Sequence, residues 1–238
     1  MTAQPVVYEE HVGPSRQYWR DIVLGINDGL VSMLLLVVGV VGGGLSREQI
    51  VLTGVAGALA GAVSMATGEY LATKSQDEVM ESELALERTH IKHFRQQEVD
   101  QLYPMLREVG VAESDIDTVV KALTRDDQVL LNSMKVLEFG VVDTERRSPM
   151  SAAWASGGLF LLGSVPAVVP FLFPISRTSG VVVAAIAAGI CLFAVGVAKT
   201  FVTRTNPVAA GFQNLVIAGV GALAAFGVGR LVGVTPPA

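Results

Sequence analysis

Five apolar stretches, each long enough to cross a bilayer as a helix, decide what this chain can fold into. They run near residues 22–43, 50–73, 151–174, 179–201 and 207–234. A hydrocarbon core about 30 Å thick takes roughly 20 residues of helix. Inside it, the backbone must satisfy its own hydrogen bonds, which a helix does within one segment. The predicted class is therefore all-α: an integral membrane protein with five transmembrane helices.

The connection between spans two and three is different in kind. Residues 74–150 are polar and charged, so the chain reads as a two-helix unit, a helical insert and a three-helix unit. The expected divisions are an N-terminal segment 1–21, helices one and two in 22–73, the insert 74–150, and helices three to five in 151–238. Composition agrees: 51% hydrophobic and 16% charged residues in 238 is more apolar surface than a soluble fold of this size buries. The formal charge of −5 argues against general nucleic-acid binding. The one cysteine, Cys191, lies in an apolar run and can form no intrachain disulfide. Glu9, Glu10 and His11 precede any apolar run, unlike a cleavable signal peptide; His11 reads as an ordinary terminal residue.

Lysine and arginine placement sets the expected orientation. With the N-terminus and the insert in the cytoplasm, all basic residues except Arg47, Arg177 and Arg230 fall on the cytoplasmic side. Five spans then leave the C-terminus on the opposite side. A prokaryotic inner membrane is the expectation, with a vacuolar membrane as the alternative.

The insert reads as helical. No proline or glycine interrupts it from Lys74 to about Gln101, and helix formers dominate. Pro104 is expected to break this helix or to start a short one that Gly110 ends. Ser114 with Asp117 reads as a helix start, and residues 128–139 as another helix. A small bundle of three or four short helices follows.

Asp28 is the first residue that needs a chemical explanation. It lies eight residues beyond Arg20, about 12 Å along the first span. A charge there is costly and faces a cavity, a partner or a transported ion; the plainer reading is a helix-entry acid paired with a nearby base. Met65 and Glu69 lie about 13 Å and 7 Å from the end of the second span at Lys74. Being four apart, they share a helix face. Two carboxylates and a thioether suit a moderately soft divalent metal such as Fe²⁺ and argue against Mg²⁺. Met65 taken alone would more often be a packing or lipid-facing residue. Gly25 and Gly29 beside Asp28, like Gly57 and Gly61, have the spacing of close helix approach. The expectation is that the first helix packs against its own copy across a dimer axis.

The insert offers a second set. Glu87 and His90 have the Glu-x-x-His spacing of di-iron carboxylate bundles, with Glu83 one turn earlier and Glu98 further along. Met134 and Glu138 are four apart on a later helix. If these helices pack together, carboxylates, an imidazole and a thioether converge; the plainer reading of the same residues is a solvated helix face. His93 could assist or be exposed. No GxxxxGK[ST] or HExxH is present, and Gly42-Gly43-Gly44 is a turn between spans. Without a nucleotide site, uphill transport would have to draw on an ion gradient.

The runs Arg20-Asp21, Gly25-Ile26-Asn27-Asp28-Gly29-Leu30-Val31-Ser32 and Ala60-Gly61-Ala62-Val63-Ser64-Met65-Ala66-Thr67-Gly68-Glu69-Tyr70 resemble the vacuolar iron transporters and their yeast calcium/manganese-tolerance relatives. The resemblance covers nearly the whole chain and is most specific in the first two helices. It implies a homodimer that moves Fe²⁺ or Mn²⁺ out of the cytoplasm against protons, with no prosthetic group and no enzymatic step. It implies that Asp28, Met65 and Glu69 lie on the pathway, and that Glu87, Glu98, Met134 and Glu138 ligate metal in the insert. The sequence departs from that pattern at His90 and Gln101, where glutamates occur, and at Lys135, where a second methionine can occur. His90 can still ligate; Gln101 is a poor ligand. Two other readings make different demands. A membrane-anchored di-iron oxidase or ferritin-like store needs Glu87 and His90 but not Asp28, and a metal sensor binds without flux.

Overall fold

The computed structural model describes residues 16–140 and 147–233. The stretch with Glu9, Glu10 and His11, residues 141–146 and the last five residues lie outside that description. The regular structure of the described residues is all helical, with short turns between helices and no strand. In chain order they form α1 (Arg16–Gly42), α2 (Arg47–Val109), α3 (Glu113–Leu123), α4 (Asp127–Leu137) and α5 (Pro149–Val168). A 3₁₀ turn (Val169–Leu172) follows, then α6 (Arg177–Ala198), the four-residue α7 (Thr200–Thr203) and α8 (Pro207–Val232). The chain divides into two compact units, Met1–Tyr70 with Pro149–Ala238, and Leu71–Ser148.

The first unit holds the five helices long and apolar enough to cross a membrane: α1, the early part of α2, α5, α6 and α8. Their outward residues are large and apolar, among them Leu52, Leu59, Val63, Ile190, Leu223 and Leu231. Water does not tolerate such a surface, and a bilayer does. The buried core is centred on α1, through Leu30, Met33, Leu34 and Val37, with Phe160, Phe171, Ala184, Ala188 and Leu192 around it.

Glycines decide how closely these helices pack. At Gly29, an added Cβ would run into the Phe160 carbonyl and stand 3.1 Å from Gly163 Cα, so α1 and α5 cross backbone to backbone. Gly25 rests on the same helix, with Leu159 Cβ and the Ser156 carbonyl 2.9 and 3.4 Å from its would-be Cβ. The face bearing Gly25 and Gly29 is thus taken by α5 of the same chain. Small residues specify close approach without specifying the partner. Gly57 and Gly61 likewise receive Leu36 and Met33 of α1 and Phe160 of α5.

Arginine side chains join two of the turns. Arg177 donates to the carbonyls of Gly44 (2.9 Å) and Leu45 (3.3 Å), and Arg47 to that of Phe173 (3.2 Å). Two of the three basic residues expected on the non-cytoplasmic side are thus engaged with the carbonyls that helix ends leave unpaired. Asn206 starts α8 by accepting from the Val208 and Ala209 amides at 3.0 and 3.1 Å, with Pro207 at the first helical position.

The second unit has its own core, in which Leu84, Ile91, Leu102, Leu106, Ile116, Val120, Leu130 and Met134 are buried. α2 does not run straight through it. Phe94 has φ −132° and ψ 31°, which is not helical. The break falls there and not at Pro104, which lies inside the second arm. Gly110, at φ +95°, ends that arm as expected, since a left-handed residue after a helix favours glycine. Ser114 does not cap α3. The helix begins at Glu113 without a side-chain cap, and Arg107 grips Glu113 at 2.9 and 2.6 Å, tying the start of α3 to the end of α2. α4 is capped by Asp126, whose carboxylate accepts from the Val129 amide at 2.9 Å.

Candidate functional site

The bend at Phe94 makes the site in the second unit. Glu87 and Glu98 are 11 residues apart, which in a straight helix is a rise of about 16 Å. Instead, ligand atoms of Glu87, His90 and Glu98 lie within 4.8 Å of one another. The first arm supplies Glu87 and His90 from one face, the second returns Glu98, and His90 Nδ1 stands 3.3 Å from Glu98 Oε1. The Phe94 ring stands edge-on to His90 and to His93, with centroids 6.4 and 6.5 Å away.

Burial is what makes this cluster chemical. Glu87 and Glu98 are 4% and 3% exposed, and Oε1 of Glu87 is buried without a hydrogen-bond partner. Burial pushes the Glu87 carboxyl up to about 7, helped by the charges of Glu98 and Glu138 and by a hydrogen bond to Glu98. Glu138, at the end of α4, is exposed, yet its carboxyl is also raised: partial desolvation leads, Glu98 and Glu83 add repulsion, and His90 opposes them. Two buried carboxylates with an orphaned oxygen are costly as anions unless a cation meets them. Oxygen, nitrogen and oxygen donors at this spacing fit a divalent metal.

Met134 is fully buried in the same core. Glu83, His93 and Gln101 are exposed, so Gln101 is not turned into the buried cluster. Lys135 is buried beside Met134 in sequence.

In the membrane unit Asp28 is half-buried on α1 and accepts a hydrogen bond from Ser32 Oγ at 3.0 Å. Leu24, Asp28 and Ser32, spaced four apart, form a stripe that is partly open. Met65 is half-buried against the membrane core, and Glu69 is half-buried one turn on. Among the described residues, Asp28 and Glu69 belong to no group of three converging carboxylate, imidazole or thiol ligands.

Two features escaped the sequence. The bend at Phe94 has no glycine or proline to announce it, and the spacing Leu84, Ile91, Glu98, Leu102 continues in phase across it. Asn214 of α8, a polar residue in an apolar span, donates from Nδ2 to Asn27 Oδ1 and to the Leu192 carbonyl, both at 3.3 Å. Its polarity was the signal.

Comparison with known proteins bears on the whole chain. A family model described as the VIT family matches residues 19–230. The chain is 29% identical over 214 residues to vacuolar iron transporter 1 of Eucalyptus grandis, covering 90% of this chain and 86% of that protein. It is 27% identical over 213 residues to vacuolar iron transporter 1 of Arabidopsis thaliana, covering 90% and 85%. With the vacuolar iron transporter of Centaurea cyanus it shares 29% over 223 residues, covering 94% and 91%.

Proposed function

This chain belongs to the VIT family, and from that premise we propose that it carries Fe²⁺ or Mn²⁺ out of the cytoplasm in exchange for protons. Metal-ion transport across a membrane is what the family supports. The choice of ion, the proton coupling and the part played by the insert are our reading. One observation carries it: the convergence of Glu87, His90 and Glu98, two of them buried and one with an orphaned oxygen. In this reading residues 74–150 lie in the cytoplasm and collect the ion as substrate, with Met134 and Glu138 completing its surroundings. Asp28, Met65 and Glu69 then pass it through the bilayer. A second copy covers the partly open stripe of α1, because a carboxylate facing lipid is costly, and the path runs between the two.

Proton exchange is natural at such a site. A metal must displace the proton that Glu87 holds near neutral pH. Metal affinity of the detergent-solubilised protein, measured by calorimetry, is expected to fall about tenfold per pH unit below pH 7, one proton's worth. Glu87→Gln is expected to weaken binding and to flatten that slope. Folding raises the Glu87 pKa from 4.5 to about 7, so between these values the folded state binds the extra proton. Stability of the metal-free protein is therefore highest below that window and falls as pH rises through it. In Glu87→Gln this fall disappears.

Flux tests the whole reading. Protein in liposomes with a trapped metal-sensitive dye should admit Fe²⁺ and Mn²⁺ at a rate that follows an imposed pH gradient. Flux indifferent to the gradient removes the proton coupling. Metal binding with no flux in any condition favours a sensor.

A further inference from the structure

The residues on either side of Asp28 are held by different helices. Gly29 is pressed on the Phe160 carbonyl and Gly163 of α5. Asn27 is held from the other direction, by Asn214 of α8, whose Nδ2 also reaches the Leu192 carbonyl of α6. The Leu192 carbonyl can only accept, so the Asn214 amide must turn its NH₂ toward both partners, and Asn27 must present oxygen. Glycines bring these groups together. A Cβ at Gly196 would stand 2.6 Å from the Ala210 carbonyl and 2.7 Å from Gly211 Cα, so α6 and α8 touch through backbone. Asn214 lies three residues after Gly211 and Leu192 four before Gly196, one turn from that crossing on each helix. In lipid, an amide that loses such partners finds no water in exchange.

We propose that Asn214, acting through Asn27, is a positioning residue that fixes the rotation of α1 and so presents Asp28 to the passing ion. The proposal rests on the reading that Asp28 lies on the path. Ser32 holds the carboxylate itself, while Asn214 and α5 hold the backbone that carries it. Releasing Asn27 lowers the fraction of molecules with Asp28 in its competent direction, and apparent ion affinity falls by that fraction.

Metal-dependent flux in liposomes would be compared for wild type, Asn27→Leu, Asn214→Leu, the double variant and Asp28→Ala. The expected result is a KM for metal raised roughly three- to tenfold in each single variant, the range carried by interhelical hydrogen bonds in membranes. The double variant should show no further rise, and the maximal rate per folded protein should change little. A general packing defect would instead lower the amount of folded protein and the maximal rate. If leucine at position 214 prevents folding, Asn214→Ala is expected to show the same split. Unchanged KM in the asparagine variants, or additive losses in the double, with Asp28→Ala inactive, overturns the positioning role alone. Wild-type flux in Asp28→Ala overturns both this role and the pathway on which it rests.

Discussion

Replacing Asp28 by alanine is expected to abolish Fe²⁺ and Mn²⁺ flux in liposomes while leaving the protein folded and the insert able to bind metal. The carboxylate is half-buried within an apolar span and accepts a hydrogen bond from a neutral hydroxyl, Ser32 Oγ. Such a group is retained at a cost to stability, so its removal should leave the melting temperature unchanged or raise it. The loss of flux should exceed the ~10–100-fold that removal of a supporting partner costs a metal site. Metal binding should persist because Glu87, His90 and Glu98 belong to the other compact unit. Asp28→Asn separates charge from shape: the amide keeps the size and can still accept from Ser32. Wild-type flux in Asp28→Asn would mean that no negative charge is needed there, and the pathway would have to be sought elsewhere.

Gly29→Ala should damage the fold itself. The added methyl meets the Phe160 carbonyl and stands 3.1 Å from Gly163 Cα, and neither neighbour is a side chain that can swing away. The contact is reciprocal, since a Cβ at Gly163 would meet the Ile26 carbonyl and stand 3.0 Å from the Leu30 amide nitrogen. α1 and α5 must separate along their length. Overpacking of this kind costs about 3 kcal/mol at the upper end of its usual range, which for a chain of this size is a drop in melting temperature of roughly 6–12 °C. Gly219→Ala is the matched control, because nothing lies within 4 Å of its would-be Cβ. Equal melting of the two variants in detergent would show that the crossing is looser than its geometry.

Much of this was legible in residue order. Apolar run length gave the five spans because bilayer thickness sets a minimum that few soluble segments meet. The three-residue spacing of Glu87 and His90 put them on one helix face whatever surrounded them. The end of α2 at Gly110 followed from its backbone freedom. Asp28, Met65 and Glu69 stood out because charged and thioether groups are conspicuous against an apolar span.

Other features depended on contacts between distant segments. Gly25 and Gly29 announced a close approach, but the choice of α5 as partner rests on the Phe160 carbonyl and Gly163, more than 130 residues away in sequence. Glu98 joined Glu87 and His90 only because α2 folds back at Phe94, a bend with no local signal. Burial then raised Glu87, a property that no residue carries by itself. Asn214 met the Leu192 carbonyl because α6 and α8 cross through glycine one turn away, and met Asn27 because α1 lies beside them. The sequence by itself determined the lengths, faces and chemical types of its helices, since these depend on neighbours within one or two turns. Only the tertiary structure decided which faces meet, because that choice is made by the summed packing of the whole unit, and the convergence of ligands is one of its consequences.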